Sequence, residues 1–279
     1  MRGAVIGCVL VAALALPAIG FGQWLKIPTQ GVPRNADGTP NLKAPAPRLS
    51  DGKPDFSGIW HAGNRRPCVP GTGEFIVCDS EIGASRLSRE LGADTPGGLP
   101  YQPWTKALYE KRKADDARDD PHVRCLPDNP PRHWNLPHLS RLIHTPKLLA
   151  ILYEVNAMYR QIHVDGRPLP VDMNPSWMGY STARWEGDTL VVRTEGFRDD
   201  LWIDGTGSPM SAAAKMVERI TRPNYGTLEI DVTIDDPKTY TRPFTVKLTQ
   251  LIELNTELVD EFCLEGEQSY ERMIRSRGK

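Results

Sequence analysis

The stretch Gly196–Pro209, GFRDDLWIDGTGSP, combines three aspartates, an arginine, a tryptophan and three glycines. It is too long for a hairpin turn, and loops of this length and composition carry function more often than tight turns do. Asp204 stands two residues after Trp202. An indole that keeps water away from a carboxyl group raises its pKa and suits it to proton transfer. Asp204 is therefore one expected acid–base group and Glu218 the other; a turn-forming aspartate ahead of Gly205 is the plainer reading of Asp204. Arg160, Arg167 and Arg219 are of the type that would hold an anion or a developing oxyanion. Glu154 joins them as an expected binding residue, and Trp177, Tyr180, Trp185 and Trp202 supply an aromatic wall of the kind that lines small-molecule sites. The competing reading gives the charged residues to cross-strand pairs on a wet sheet face and the tryptophans to the closed end of a barrel.

Other chemistries find little support. The six histidines include His133, His138 and His144, but these fall in a proline-broken segment without the spacing of a metal site. There is no G-x-S-x-G elbow, no G-x-G-x-x-G after a strand and no Walker loop. No metal and no cofactor is expected.

The elements that must position these residues are mostly strands. From Leu148 onward the hydrophobic period is two, through LLAILYEV, MYRQIHV, STARW, TLVVRTE, AKMVERIT, TLEIDVTID, FTVKLTQLIE and ELVDEFC. In TLEIDVTID, Leu228, Ile230, Val232 and Ile234 face one way and the polar residues the other, as in an antiparallel sheet with one buried face. The expected fold is mostly β: an antiparallel meander over 148–263, curled or closed into a lipocalin-like barrel, with a sandwich as the alternative. WMGYSTARWEGDTLVVRTEGF (Trp177–Phe197) reads as a hairpin with its tip at Gly187-Asp188. Before the sheet come an extended arm over 23–61, in which FSGIW could add a strand or an anchor, and an irregular Pro-rich segment over 62–147. In that segment one short helix is expected near Ser85–Leu91 and another at PWTKALYEKRKADDARDDP, with Trp104, Leu108 and Tyr109 as its apolar edge and Glu110–Asp120 as a solvated face. Proline excludes regular structure from CLPDNPPRHWNLPH. A C-terminal tail occupies 264–279.

The opening MRGAVIGCVLVAALALPAIGFGQ reads as a cleavable signal peptide over 1–22, cut near Gly22, so the protein is expected in the periplasm or secreted. Removing it leaves 33 basic against 35 acidic residues, which gives no pull toward nucleic acid or anionic lipid. No further apolar run is long enough to span a membrane. Four cysteines remain after Cys8 departs, and an even count in an exported chain favours two disulfides, Cys68–Cys78 and Cys125–Cys263.

At DGKPDFSGIW, LPYQPW, CLPDNPPR, DGRPLP, WMGYSTARWEGDTLVV, VERI and VTIDDPKTYTRPFTV the chain resembles a large family of exported bacterial proteins, abundant in acidobacteria and some proteobacteria. The resemblance spans nearly the whole mature chain and implies secretion and a shared β-rich fold. It also marks a departure: Met210 and Ala212, in GSPMSAAAKMVER, stand where the family pattern has histidine and glutamate. The expected function is therefore an exported protein for a small, partly apolar organic molecule. It is either a metal-free acid–base enzyme of the lyase, isomerase, cyclase or hydratase type, or a non-catalytic carrier, which the missing histidine and glutamate favour.

Overall fold

The computed structural model describes residues 27–63 and 90–265. The signal segment, Cys68, Cys78, most of the short helix expected at Ser85–Leu91 and most of the tail lie outside the described residues. The chain is mostly β. Its strands are β1 (Gly58–Ala62), β2 (Ser140–Thr145), β3 (Leu148–Tyr153), β4 (Tyr159–His163), β5 (Tyr180–Glu186), β6 (Thr189–Glu195), β7 (Leu201–Trp202), β8 (Pro209–Met210), β9 (Lys215–Asn224), β10 (Thr227–Asp235) and β11 (Phe244–Glu253). Nine of them close a barrel in the order β1-β11-β10-β9-β6-β5-β4-β3-β2, and β7 pairs only with β8. Closure pairs the barrel strands around the ring and so limits exposed edges without covering helices.

The period of two translates directly into facing. Leu228, Ile230, Val232 and Ile234 on β10 are all fully buried, and so is Glu218 on the neighbouring β9. β5 and β6 form the expected hairpin, with Glu186 paired to Thr189 and Gly187 at the tip with φ +62°. A two-residue turn of that hand needs positive φ, which glycine takes without strain. The extended arm straps this tip down: Arg48 pairs with Asp188 at 2.7 Å, and Lys53 donates to the Gly187 carbonyl.

The barrel departs from a simple meander in four places. β1, the FSGIW region, inserts between β11 and β2 and completes the ring. β2 starts at Ser140, ahead of the expected start of the sheet, because its alternation SRLIHT is short and follows directly on prolines. β4 and β5 run parallel and pair only at Ile162–Ser181 and His163–Thr182, since the Pro-rich connection Val164–Gly179 is too long to turn a hairpin. ELVDEFC is not a strand, although Glu261 makes an isolated bridge to Val155. β1 already fills the place between β11 and β2 that a last strand of the meander would take.

CLPDNPPRHWNLPH also differs from expectation, because Pro130 and Pro131 open a short helix over Pro130–His133. Proline is tolerated in the first turn, where the missing N–H would have no acceptor. Asp128–Leu136 is buried throughout and plugs one end of the barrel. Arg132 holds it by donating to both oxygens of the buried Asp120, at 2.7 and 2.6 Å. Asp120 thus belongs to the interior and not to a solvated face. The expected disulfide Cys125–Cys263 is present and ties the start of the plug to the end of the chain. Such a bond fits an extracellular or periplasmic protein. No helix among the described residues is long and apolar enough to cross a membrane.

Candidate functional site

The longer helix, α1 (Pro103–Ala114), starts with proline at its first position and ends on Lys111, Arg112 and Lys113, which suit the negative end of the helix dipole. Its inward edge is Thr105 and Tyr109, whereas Trp104 is 58% exposed. Trp104 instead donates to the Lys238 carbonyl at 3.2 Å. The last turn brings Arg112 against the loop that joins β6 to β9, the same GFRDDLWIDGTGSP stretch.

Asp204 organises that loop. It is fully buried. Its Oδ1 accepts from the backbone N–H groups of Thr206, Gly207 and Ser208 at 3.0–3.1 Å. Its Oδ2 accepts from the Leu91 N–H at 3.0 Å and from the Ser208 hydroxyl. Burial pushes its pKa above the usual carboxylate range, against the pull of these donors. The carboxylate is thus raised as expected, but its oxygens are turned inward onto the loop. At Gly207, φ is +98° and a Cβ would lie 2.7 Å from Arg112 Cδ, so glycine is what lets the helix and the loop meet.

Beside this contact lies a cleft of about 440 Å³, within the size range of small-molecule sites. One wall is α1 with the turn after it, and the other is Arg198–Asp200 with Trp202 and Trp177. The Arg198 guanidinium lies over the Trp177 ring and that of Arg112 over Trp202, each 4.3 Å from the centroid. Arg118 is paired with Asp115 at 2.8 Å and Arg124 with Asp119. Arg198 has no carboxylate within ion-pair distance among the described residues. Ala117 and Asp200, both lining the cleft, have φ of +51° and +60°. Non-glycine residues are held there at a cost and cluster at functional sites.

A second cleft, of about 490 Å³, opens where β4 and β5 part below their two paired residues, and Trp177 lines both clefts. Tyr180 belongs to this second cleft, its ring stacked on His163 with centroids 5.3 Å apart. Arg167 is at its rim, bonded to Asp165 at 2.6 Å and within 3.4 Å of the Tyr180 hydroxyl.

Arg160 and Glu218 meet inside the barrel. Arg160 donates to both Glu218 oxygens, at 3.0 and 2.5 Å, and to Ser181 and Thr194. Glu218 also accepts from the indole N–H of Trp134 in the plug at 2.7 Å. Burial works against the charge on Arg160, but Glu218 outweighs it and holds the guanidinium pKa above its ordinary value. His133, stacked on Tyr153 at 3.9 Å, is pulled down to about 4 by burial, so it stays neutral near pH 7. The other expected site residues disperse. Glu154 accepts from the Leu139 and Val259 N–H groups and fastens the segment at Val259 to the chain that follows the plug. Trp185 packs under the arm against Phe56 and His144. Arg219 pairs with Glu186 on the outer surface at 2.8 Å. Met210 is core, and the N–H of Ala212 donates to Asp199 at the cleft edge.

Thus Trp177 and Trp202 come together at the first cleft, and Asp204 shapes it from behind. Arg112 and Arg198 complete it and were not singled out in the sequence. Arg198 lay within a stretch that was, whereas Arg112 sits in a charged run whose pattern gives no sign of an inward turn. The chain matches no protein-family model, no curated protein and no solved structure.

Proposed function

We propose that this is an exported small-molecule binding protein, a carrier and not a proton-transfer enzyme, whose ligand occupies the cleft between α1 and Arg198–Trp202. One observation carries the reading: the two carboxylates best suited by sequence to move protons, Asp204 and Glu218, are fully buried with both oxygens engaged by the protein's own donors. A general acid or base must be within hydrogen-bond reach of its substrate. The barrel interior is likewise taken up by side chains, with Trp60 and Trp134 among the largest fully buried. Of the clefts outside the barrel, the one between α1 and Arg198–Trp202 carries both tryptophans with an arginine stacked on each. The signal-like opening and the Cys125–Cys263 disulfide support a periplasmic or extracellular setting.

Protein recovered from its export compartment is expected to retain a small molecule in native mass spectrometry. Trp177→Ala is expected to weaken that retention about tenfold, or ~1.4 kcal/mol. Equal retention by Trp177→Ala and wild type would place the ligand elsewhere.

A further inference from the structure

The charges around the cleft say what kind of molecule it would take, an inference that rests on the binding reading above. Lys111, Arg112, Arg118, Arg124 and Arg198 face Asp115, Asp119, Asp199 and Asp200, a surplus of one positive charge. The surplus is not spread evenly. Arg118 and Arg124 are neutralised within the wall by Asp115 and Asp119. Asp199 is engaged by the Ala212 N–H at 2.8 Å. Arg112 gives one donor to the Gly207 carbonyl at 2.9 Å and lies half-buried on Trp202. Burial pulls its pKa below the ordinary arginine value, outweighing the favourable charges of Asp200, Asp120 and Asp119, so a further anion against it would be favoured. Arg198 is spread on Trp177, and its guanidinium meets no hydrogen-bond acceptor among the described residues. An arginine resting on an indole is held flat, with its in-plane donors presented outward as a fork that fits a carboxylate. The remaining lining, Leu108, Leu126 and the edges of the two indoles, is apolar.

We propose that the cleft binds a small organic monocarboxylate with a compact apolar body, the carboxylate on Arg198 and Arg112 and the body against Leu108, Leu126 and the indole edges. A single charge is favoured because Asp199 and Asp200, outside the two ion pairs, line the same cleft and would repel a dianion. A neutral ligand would leave the partly buried Arg112 without an added counter-charge and the Arg198 fork without an acceptor.

The test uses the full mature chain and two probe series: 2-naphthoate, 2-naphthalenemethanol and 2-naphthylmethylammonium, and octanoate, octanol and octylammonium. Binding is read from the indole N–H resonances of Trp177 and Trp202. In at least one series the acid is expected to shift both resonances and to bind about tenfold or more tightly than its alcohol, with the ammonium weaker still. Arg198→Gln, at an exposed position, should remove the preference for acid over alcohol, and Arg198→Lys should keep part of it. If the alcohol or the ammonium binds as well as the acid at these two indoles, the charge assignment is overturned while the cleft remains a binding site. If no probe moves either resonance, the monocarboxylate inference fails, and the retention experiment on Trp177→Ala decides the binding reading separately.

Discussion

Ile230→Asp is expected to yield no cooperatively folded protein, while Thr233→Asp, three residues along the same strand, should fold and lose less than about 1 kcal/mol in urea denaturation. Ile230 is fully buried, opposite Leu248 and Ile220 on the two neighbouring strands. A carboxylate there would lie among buried apolar side chains of both neighbouring strands, and its desolvation rivals the ~5–15 kcal/mol by which a domain of this kind is stable. Thr233 faces outward, and its hydroxyl merely shares a hydrogen bond of 2.7 Å with Thr245. Equal behaviour of the two variants would mean that the strand is turned the other way.

Arg160→Leu and Glu218→Leu should each cost about 3–5 kcal/mol, because each leaves the opposite charge buried and unpaired. The side chains of the pair are 1% and 0% exposed, and the pair links β4 to β9 and to Trp134 in the plug. The double variant Arg160→Leu/Glu218→Leu should recover most of the loss, since a well-packed apolar replacement of a buried ion pair is often neutral. Urea melts of the three variants measure this coupling. Single variants within about 1 kcal/mol of wild type would show that the pair does not hold the plug.

The barrel was legible wherever a strand has one wet face, because alternation then fixes both the element and its orientation. Leu228–Ile234 and the Gly187-Asp188 turn are such cases. β2 and the parallel β4–β5 joint were not legible. Pairing partners and strand direction depend on where the long Val164–Gly179 connection leads, and a local pattern carries no trace of that. ELVDEFC shows the converse: its alternation suits a strand, but the ring was already closed by β1. At the site, GFRDDLWIDGTGSP announced itself by length and composition, and Trp177 and Trp202 do meet across it. The role of Asp204 was hidden because a carboxylate that caps a loop and one that serves a substrate need the same neighbours in sequence. Arg112 was hidden because it turns inward only where Gly207 leaves room.

The most direct test of the binding cleft is a small-fragment screen followed in the seven tryptophan indole N–H resonances of the intact chain. Fragments are predicted to perturb Trp177 and Trp202 together and to leave Trp60 and Trp134 unmoved. Perturbation centred on Trp60 and Trp134, with Trp177 and Trp202 silent, would put the ligand inside the barrel and contradict the account.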